Sequence, residues 1–189
     1  QLDDCTWGMI VDSDYWKAKV GNGFTLEQEA LQYLKVNNLA IEGKPEGLTI
    51  NTHVCRGNYH SCYATKGAYD AVAPYLFAHE DVDTFYLEYD DERSGGFEPL
   101  KYVADGKKVV LGLVTSKSPV LEDKATVIAR IHEAAKYISL NRLSLSPQCG
   151  FASCEIGNKL TDAEQWAKID WVREISEEVW GSSSFSDAE

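Results

Sequence analysis

Residues 47–90 contain GLTINTHVC (47–55), ATKGAYDAVAPYLFAH (64–79) and DTFYLEYD (83–90): a β-type run, a segment of helical composition, and a second β-type run. β-branched and apolar residues bounded by turn formers mark the two runs as strands, and the segment between them fits an amphipathic helix. The same alternation extends outward in both directions. Upstream, QLDD (1–4) reads as a strand and a helix opens at Thr25. Downstream, KKVVLGLVT (107–115) and RLSLSPQC (142–149) read as strands, LEDKATVIARIHEAAKYI (121–138) reads as a helix, and a last helix opens at Thr161. Thr25 with Gln28, and Thr161 with Glu164, have the spacing of a capping box, in which two side chains satisfy backbone groups left free at a helix start. Gly95 and Gly96 lead into only a short helix.

Strands alternating with helices imply parallel pairing through right-handed crossovers, in either an open doubly wound sheet or a closed eight-stranded barrel. A nucleotide-binding open sheet needs a glycine-rich turn after its first strand, and QLDDCTWG has neither the dinucleotide nor the P-loop spacing. The expected fold is therefore α/β, the C-terminal part of a TIM-type (β/α)8 barrel, with about five of its eight strands present. Roughly three more strands are expected upstream or on another chain, since Gln1 already stands in a strand-like run. Residues 1–181 are assigned to the partial barrel and 182–189 to a flexible tail of low complexity.

A chain of 189 residues with 44% hydrophobic composition can bury the core of one domain. Its 30 acidic residues against 18 basic ones give a net charge of -12, which works against a polyanionic partner, so no nucleic acid is expected. No apolar run approaches the roughly 18 residues that cross a bilayer, and no basic stretch leads into an apolar signal segment. A cytoplasmic location without membrane association is expected. Five cysteines, at 5, 55, 62, 149 and 154, are odd in number and scattered, unlike a paired disulfide framework, and read as reduced thiols.

In parallel α/β folds the working side chains gather at the carboxyl ends of the strands. There the sequence offers His53 and Cys55 after GLTINT, Glu88 after TFYL, and Cys149 after LSLSPQ. Alternate residues of a strand point the same way, so His53 and Cys55 can chelate one ion together. Two thiolates, an imidazole and a carboxylate make a sensible tetrahedral zinc shell, with Glu88 as its exchangeable member. An incoming thiol could then bind as a nucleophilic thiolate, suited to S-alkyl transfer. Taken singly, each residue has a plainer reading: His53 or Cys55 as a satisfied loop or core residue, Glu88 as part of the solvated acidic run EYDDE, Cys149 as an inert buried thiol. The agreement of three strand ends is what raises the group above these. His60 and Cys62 repeat the HxC spacing but sit in a polar loop that fixes no orientation, and Cys154 lies five residues from Cys149, which is not knuckle spacing.

QLDD, NTHVC, FYLEYD and SPQCGF followed by NKLTDAEQWAKI resemble, in order, the C-terminal catalytic barrel of the cobalamin-independent methionine synthases, above all the shorter relatives that carry THVCRGN. The resemblance implies a zinc-dependent S-methyltransferase of methionine biosynthesis, with zinc on His53, Cys55, Glu88 and Cys149. It implies that Asp3, at the acid of the family's QxDE motif, holds the amino group of homocysteine, and that the methyl donor is a methyl-folate. Two departures bear on it. The larger enzymes place a general-acid histidine in a His-Ser-Pro segment, whereas this chain reads LVTSKSP with Thr115, Ser116 and Lys117, so no residue is assigned as catalytic acid or base. The family's earlier strands are also absent from this sequence. A corrinoid methyl donor is therefore an alternative, and a non-catalytic barrel fragment that dimerises or associates with the missing strands is another.

Overall fold

Five parallel strands, β1 (Leu2–Asp4), β2 (Asn51–Val54), β3 (Thr84–Glu88), β4 (Lys108–Val114) and β5 (Leu143–Pro147), pair in the order in which they occur along the chain. This computed structural model describes residues 1–20, 23, 25–152 and 154–181, and the tail expected at 182–189 lies outside them. Each crossover steps to the next strand in the same direction, so right-handed connections place their helices on one face of the sheet. That is the winding of a barrel wall; in a doubly wound sheet the strand order would reverse at a switch point. The chain is α/β and forms part of a TIM-type barrel, as the alternation in the sequence implied.

Among the described residues six α-helices accompany the strands: α1 (Thr6–Val11), α2 (Ser13–Val20), α3 (Leu26–Ile41), α4 (Ala73–His79), α5 (Lys124–Ala134) and α6 (Asp162–Trp180). Both expected capping boxes are formed, at Thr25 with Gln28 and at Thr161 with Glu164. The helix expected over 64–79 is shorter than its composition suggests. Ala64 and Thr65 donate their N–H groups to the Arg56 carbonyl and Gly67 to that of Arg93, so this part of the chain is spent on tying down the loop after β2. A 3-10 turn at Tyr69–Ala71 follows, and the α-helix opens only at Ala73 with Pro74 in its first turn. Helices α1 and α2 were not read from the sequence; each is short, and α1 has no side-chain cap.

One face of the sheet is the core. Phe85, Leu87, Val109, Leu111 and Leu113 are buried against the helices, and an aromatic chain runs Phe85–Phe77–Tyr69–Tyr89–Phe97 with centroids 5.3, 5.6, 5.2 and 4.7 Å apart. Burying each such side chain contributes roughly 1.5–3 kcal/mol. The alternate residues Asn51, His53, Tyr86 and Ser146 face the other way and remain partly exposed. Among the described residues no helix is long and apolar enough to cross a membrane.

A buried polar bridge ties α3 to the sheet. The Asn37 amide donates to Asp4 Oδ2 at 3.0 Å and to Glu80 Oε1 at 2.6 Å. Burial pushes the Glu80 carboxyl up to about 7; the Asn37 hydrogen bond opposes this and the Asp4 charge reinforces it. The folded value lies above the ordinary one of 4.5, so the protonated form favours the fold below that pH, and the benefit is lost as pH rises through 7. Urea unfolding at pH 4.5 and pH 8 should show the wild type losing about 2–3 kcal/mol relative to Glu80→Gln over that interval. Parallel pH profiles for the two proteins would contradict this.

Candidate metal centre

The carboxyl ends of β2, β3 and β5 meet at one point. His53 lies within β2 and Cys55 one residue beyond its end, Glu88 closes β3, and Cys149 follows β5 by two residues. The Cys55 and Cys149 sulfurs are 3.8 Å apart, and Cys149 Sγ lies 3.4 Å from His53 Nε2. One ligand-capable atom from each of His53, Cys55, Glu88 and Cys149 falls within 4.8 Å of all the others. Zinc–sulfur bonds near 2.3 Å and zinc–nitrogen bonds near 2.0 Å in a tetrahedron place two sulfurs about 3.8 Å apart, and a sulfur and a nitrogen about 3.5 Å apart. The observed spacings match, so these four side chains form a group that could hold a metal ion.

The backbone around the group is held closely. The Arg56 N–H donates to Glu88 Oε1 at 2.7 Å, Arg93 Nη2 reaches Glu88 Oε2 at 3.2 Å, and the Gly57 N–H points at Cys55 Sγ at 3.2 Å. Arg56 is buried and lies over the Tyr69 ring, 4.1 Å from its centroid. Its guanidinium donates to the Glu88 carbonyl at 3.1 Å, to Ser94 Oγ at 2.9 Å and to the Gly67 carbonyl at 2.6 Å. On the far side α1 packs so closely that a Cβ on Gly8 would lie 2.4 Å from the Cys55 carbonyl oxygen, which is why that position takes no side chain.

The electrostatics separate the two thiols. The Cys55 hydrogen bond and the neighbouring His53 pull the Cys149 thiol well below its ordinary value against the cost of burial. The same hydrogen bond, together with burial, pushes Cys55 up. Burial lowers His53, but its hydrogen bond to Cys149 and the charge there outweigh it and leave the imidazole raised. Glu88 is raised by burial, with the Lys117 charge and the Arg56 N–H opposing. Of the two thiols Cys149 is therefore the readier to ionise.

The group opens onto a cleft of about 590 Å³ whose walls include Asp3, Cys5, His53, Tyr86 and Cys149. Asp3 is exposed there, across from His53 in the β1–β2 register, and the Gln1 amide donates to it at 2.7 Å. Among the described residues, the second HxC pair stays apart from this group. Tyr59 and Cys62 close a tight turn through backbone bonds of 3.0 and 2.9 Å, with positive φ at His60 and Ser61. Cys154 does not join either.

Besides the buried Arg56, sequence reasoning missed three neighbours. Cys5 follows β1 directly and lines the cleft, so the strand-end rule that found the others would have found it too. The acidic run EYDDE has a solvated reading on composition alone, yet Glu88 is fully buried, and Arg93 pairs with Glu88, Asp90 and Asp91. Lys117, on the loop where no histidine stands, has a buried ammonium, and nothing in the spacing of LVTSKSP signals that.

Residues 27–168 match the family described as the cobalamin-independent synthase, catalytic domain. Two uncharacterized Bacillus subtilis (strain 168) proteins align over 181 residues, 95% of this chain and 48% of each relative: YxjG at 48% identity and YxjH at 44%. The chain thus spans about half the length of the curated relatives it matches. Among solved structures, a Listeria monocytogenes protein described as a vitamin-B12 independent methionine synthase is 39% identical with a TM-score of 0.73, over 96% of this chain and 48% of that one. A B12-independent methionine synthase from Shewanella sp. W3-18-1, solved with selenomethionine, shares the fold at 20% identity with a TM-score of 0.67, over 94% and 47%. With most of its length matched by the family and its strand ends converging on one sulfur-rich group, this chain belongs to the cobalamin-independent synthase catalytic-domain family.

Proposed function

We propose that this chain is the zinc and thiol-binding portion of an S-methyltransferase of methionine biosynthesis, with His53, Cys55, Glu88 and Cys149 as zinc ligands and homocysteine as the methyl acceptor. The observation that carries this reading is the convergence of four ligand-capable atoms within 4.8 Å of one another, two of whose spacings, sulfur to sulfur and sulfur to nitrogen, are those of a tetrahedral zinc shell. When bound, zinc would supply the charge that keeps a thiol ionised at neutral pH while leaving its sulfur nucleophilic. The chain's own residues supply the rest. Asp3 stands on the cleft wall, where its carboxylate can take the amino group of homocysteine. Cys55 and Cys149 line the same cleft, so an incoming sulfur approaches from the open side, whereas Glu88 is fully buried.

The methyl donor is proposed to be of the 5-methyltetrahydrofolate type. The loop after β4 favours a second reading: its Thr115, Ser116 and Lys117 include no imidazole to protonate a pterin, and a methyl corrinoid would need no such proton. Assays with each donor separate the two. For the site itself, calorimetric titration of L-homocysteine into the zinc-loaded chain, in buffers of differing ionisation enthalpy, is expected to show binding with about one proton released. Removing the metal should abolish both. A zinc-loaded chain that takes up no homocysteine, or takes it up without proton release, would overturn the proposal.

A further inference from the structure

Three thiols line the cleft, those of Cys5, Cys55 and Cys149, and the proposed zinc set uses only the last two. Cys5 is exposed. The Cys55 N–H donates to the Asp4 carbonyl at 2.9 Å, which carries the β1–β2 pairing past its last ladder residue, so Cys5 stands beside Cys55 as Asp3 stands beside His53. The Cys5 thiol also hydrogen-bonds that of Cys55. Asp3 and Cys5 are alternate residues and both line the cleft, roughly 6–7 Å apart along the chain.

A second feature of the cleft points to a polar ligand. Gln148 lines it and is only 1% exposed. Its Oε1 accepts from the Ser116 N–H at 3.1 Å and from the Ser116 hydroxyl at 2.7 Å, which locks the amide and leaves Nε2 buried without a partner. A buried donor that lacks an acceptor is costly. The cleft thus offers a carboxylate for an ammonium and an amide for an acceptor group, the pattern that suits an amino acid.

A ligand whose ammonium sits on Asp3 has the position of its sulfur set by its own length. In homocysteine the two atoms are four bonds, about 5 Å, apart, which brings the sulfur to the level of Cys5 and Cys55. A free thiol there can ionise and go to the metal. A disulfide sulfur has no proton to lose, and it lies against the unused thiol instead. We propose that Cys5 is a covalent capture site for the disulfides of small amino-acid thiols, homocystine above all, and that the adduct closes the cleft. The Cys5 sulfur gives its proton to solvent and attacks one sulfur of the bound disulfide; one S–S bond forms, the original one breaks, and the departing thiolate takes up a proton. Partial burial raises the Cys5 thiol, so the reaction depends on the disulfide being held against it and not on acidity. The choice of ligand rests on the thiol-binding reading above.

Zinc-loaded protein incubated with L-homocystine should gain the mass of one homocysteine, mapped to Cys5 and removed by a reducing thiol. The rate should be about ten or more times that at Cys62, the exposed cysteine of the turn beyond β2. The disulfide of mercaptoethanol, which has no ammonium, should modify the two cysteines without that preference, and L-homocystine should lose the preference in Asp3→Asn. Cys5→Ser should take no adduct in the cleft and should load zinc as the wild type does. Equal rates at Cys5 and Cys62, or a Cys5 preference that survives in Asp3→Asn or with the mercaptoethanol disulfide, would overturn the assignment. Zinc-loaded Cys5→Ser separates this from the reading it rests on: if that variant takes up no homocysteine while wild-type Cys5 is still captured selectively, the metal-bound thiol falls and the capture site stands.

Discussion

Replacing Cys149 with Ala is expected to lower the chain's affinity for zinc by more than about a hundredfold, because substitutions one layer outside a metal shell already cost 10–100-fold. Cys149 is the residue on which the group turns: its sulfur is 3.8 Å from Cys55 and 3.4 Å from His53, and it is the thiol whose acidity its neighbours raise. Metal binding requires thiolates, and a site with one thiol already inclined to ionise releases fewer protons when it loads. Cys55→Ala should fall into the same range, whereas Cys62→Ala, in the exposed turn beyond β2, should leave affinity unchanged. Competition against a chromophoric chelator measures all three. Equal zinc affinity in the wild type and Cys149→Ala would place the metal elsewhere.

The second large effect concerns stability. Arg56→Met is expected to lower the unfolding free energy by about 3–5 kcal/mol, because it leaves the Gly67 carbonyl and the Ser94 hydroxyl without the guanidinium donor and takes one donor from the Glu88 carbonyl, which keeps the Tyr69 hydroxyl at 3.3 Å. Contact with the Tyr69 ring is altered as well. Lysine should not rescue the site, since one ammonium cannot reproduce a flat, forked donor that both stacks and bridges three acceptors. Chemical denaturation of the metal-free proteins measures the loss. The backbone N–H of residue 56 still reaches Glu88 Oε1 in the variant, so zinc affinity should fall far less than in Cys149→Ala. A stability change under about 1 kcal/mol would show that the bridge carries no more than an ordinary hydrogen bond.

The fold was legible wherever local patterns set it. β2, β3 and β4 announce themselves because strands of a parallel sheet are rich in β-branched and apolar residues, and Thr25 and Thr161 mark helix starts through interactions three residues apart. The extent of α4 was not legible, because residues 64–67 are held by carbonyls of Arg56 and Arg93, which belong to other parts of the chain. The candidate site followed the same division. His53, Cys55, Glu88 and Cys149 could be singled out because the topology alone sends strand ends to one place, and the structure brings them within 4.8 Å of one another. The buried guanidinium of Arg56 and ammonium of Lys117 could not. In a chain with net charge -12, basic residues read as surface counterions, and only the packing of several loops turns these ones inward.

The central claim is that four side chains from three strand ends share one zinc ion, and zinc K-edge X-ray absorption of the loaded protein tests it most directly. The account predicts two sulfur neighbours at about 2.3 Å and two nitrogen or oxygen neighbours at about 2.0–2.2 Å. In Cys149→Ala, any zinc that remains should show a single sulfur. A shell of nitrogen and oxygen alone, or a wild-type protein that retains no zinc after dialysis, would contradict it.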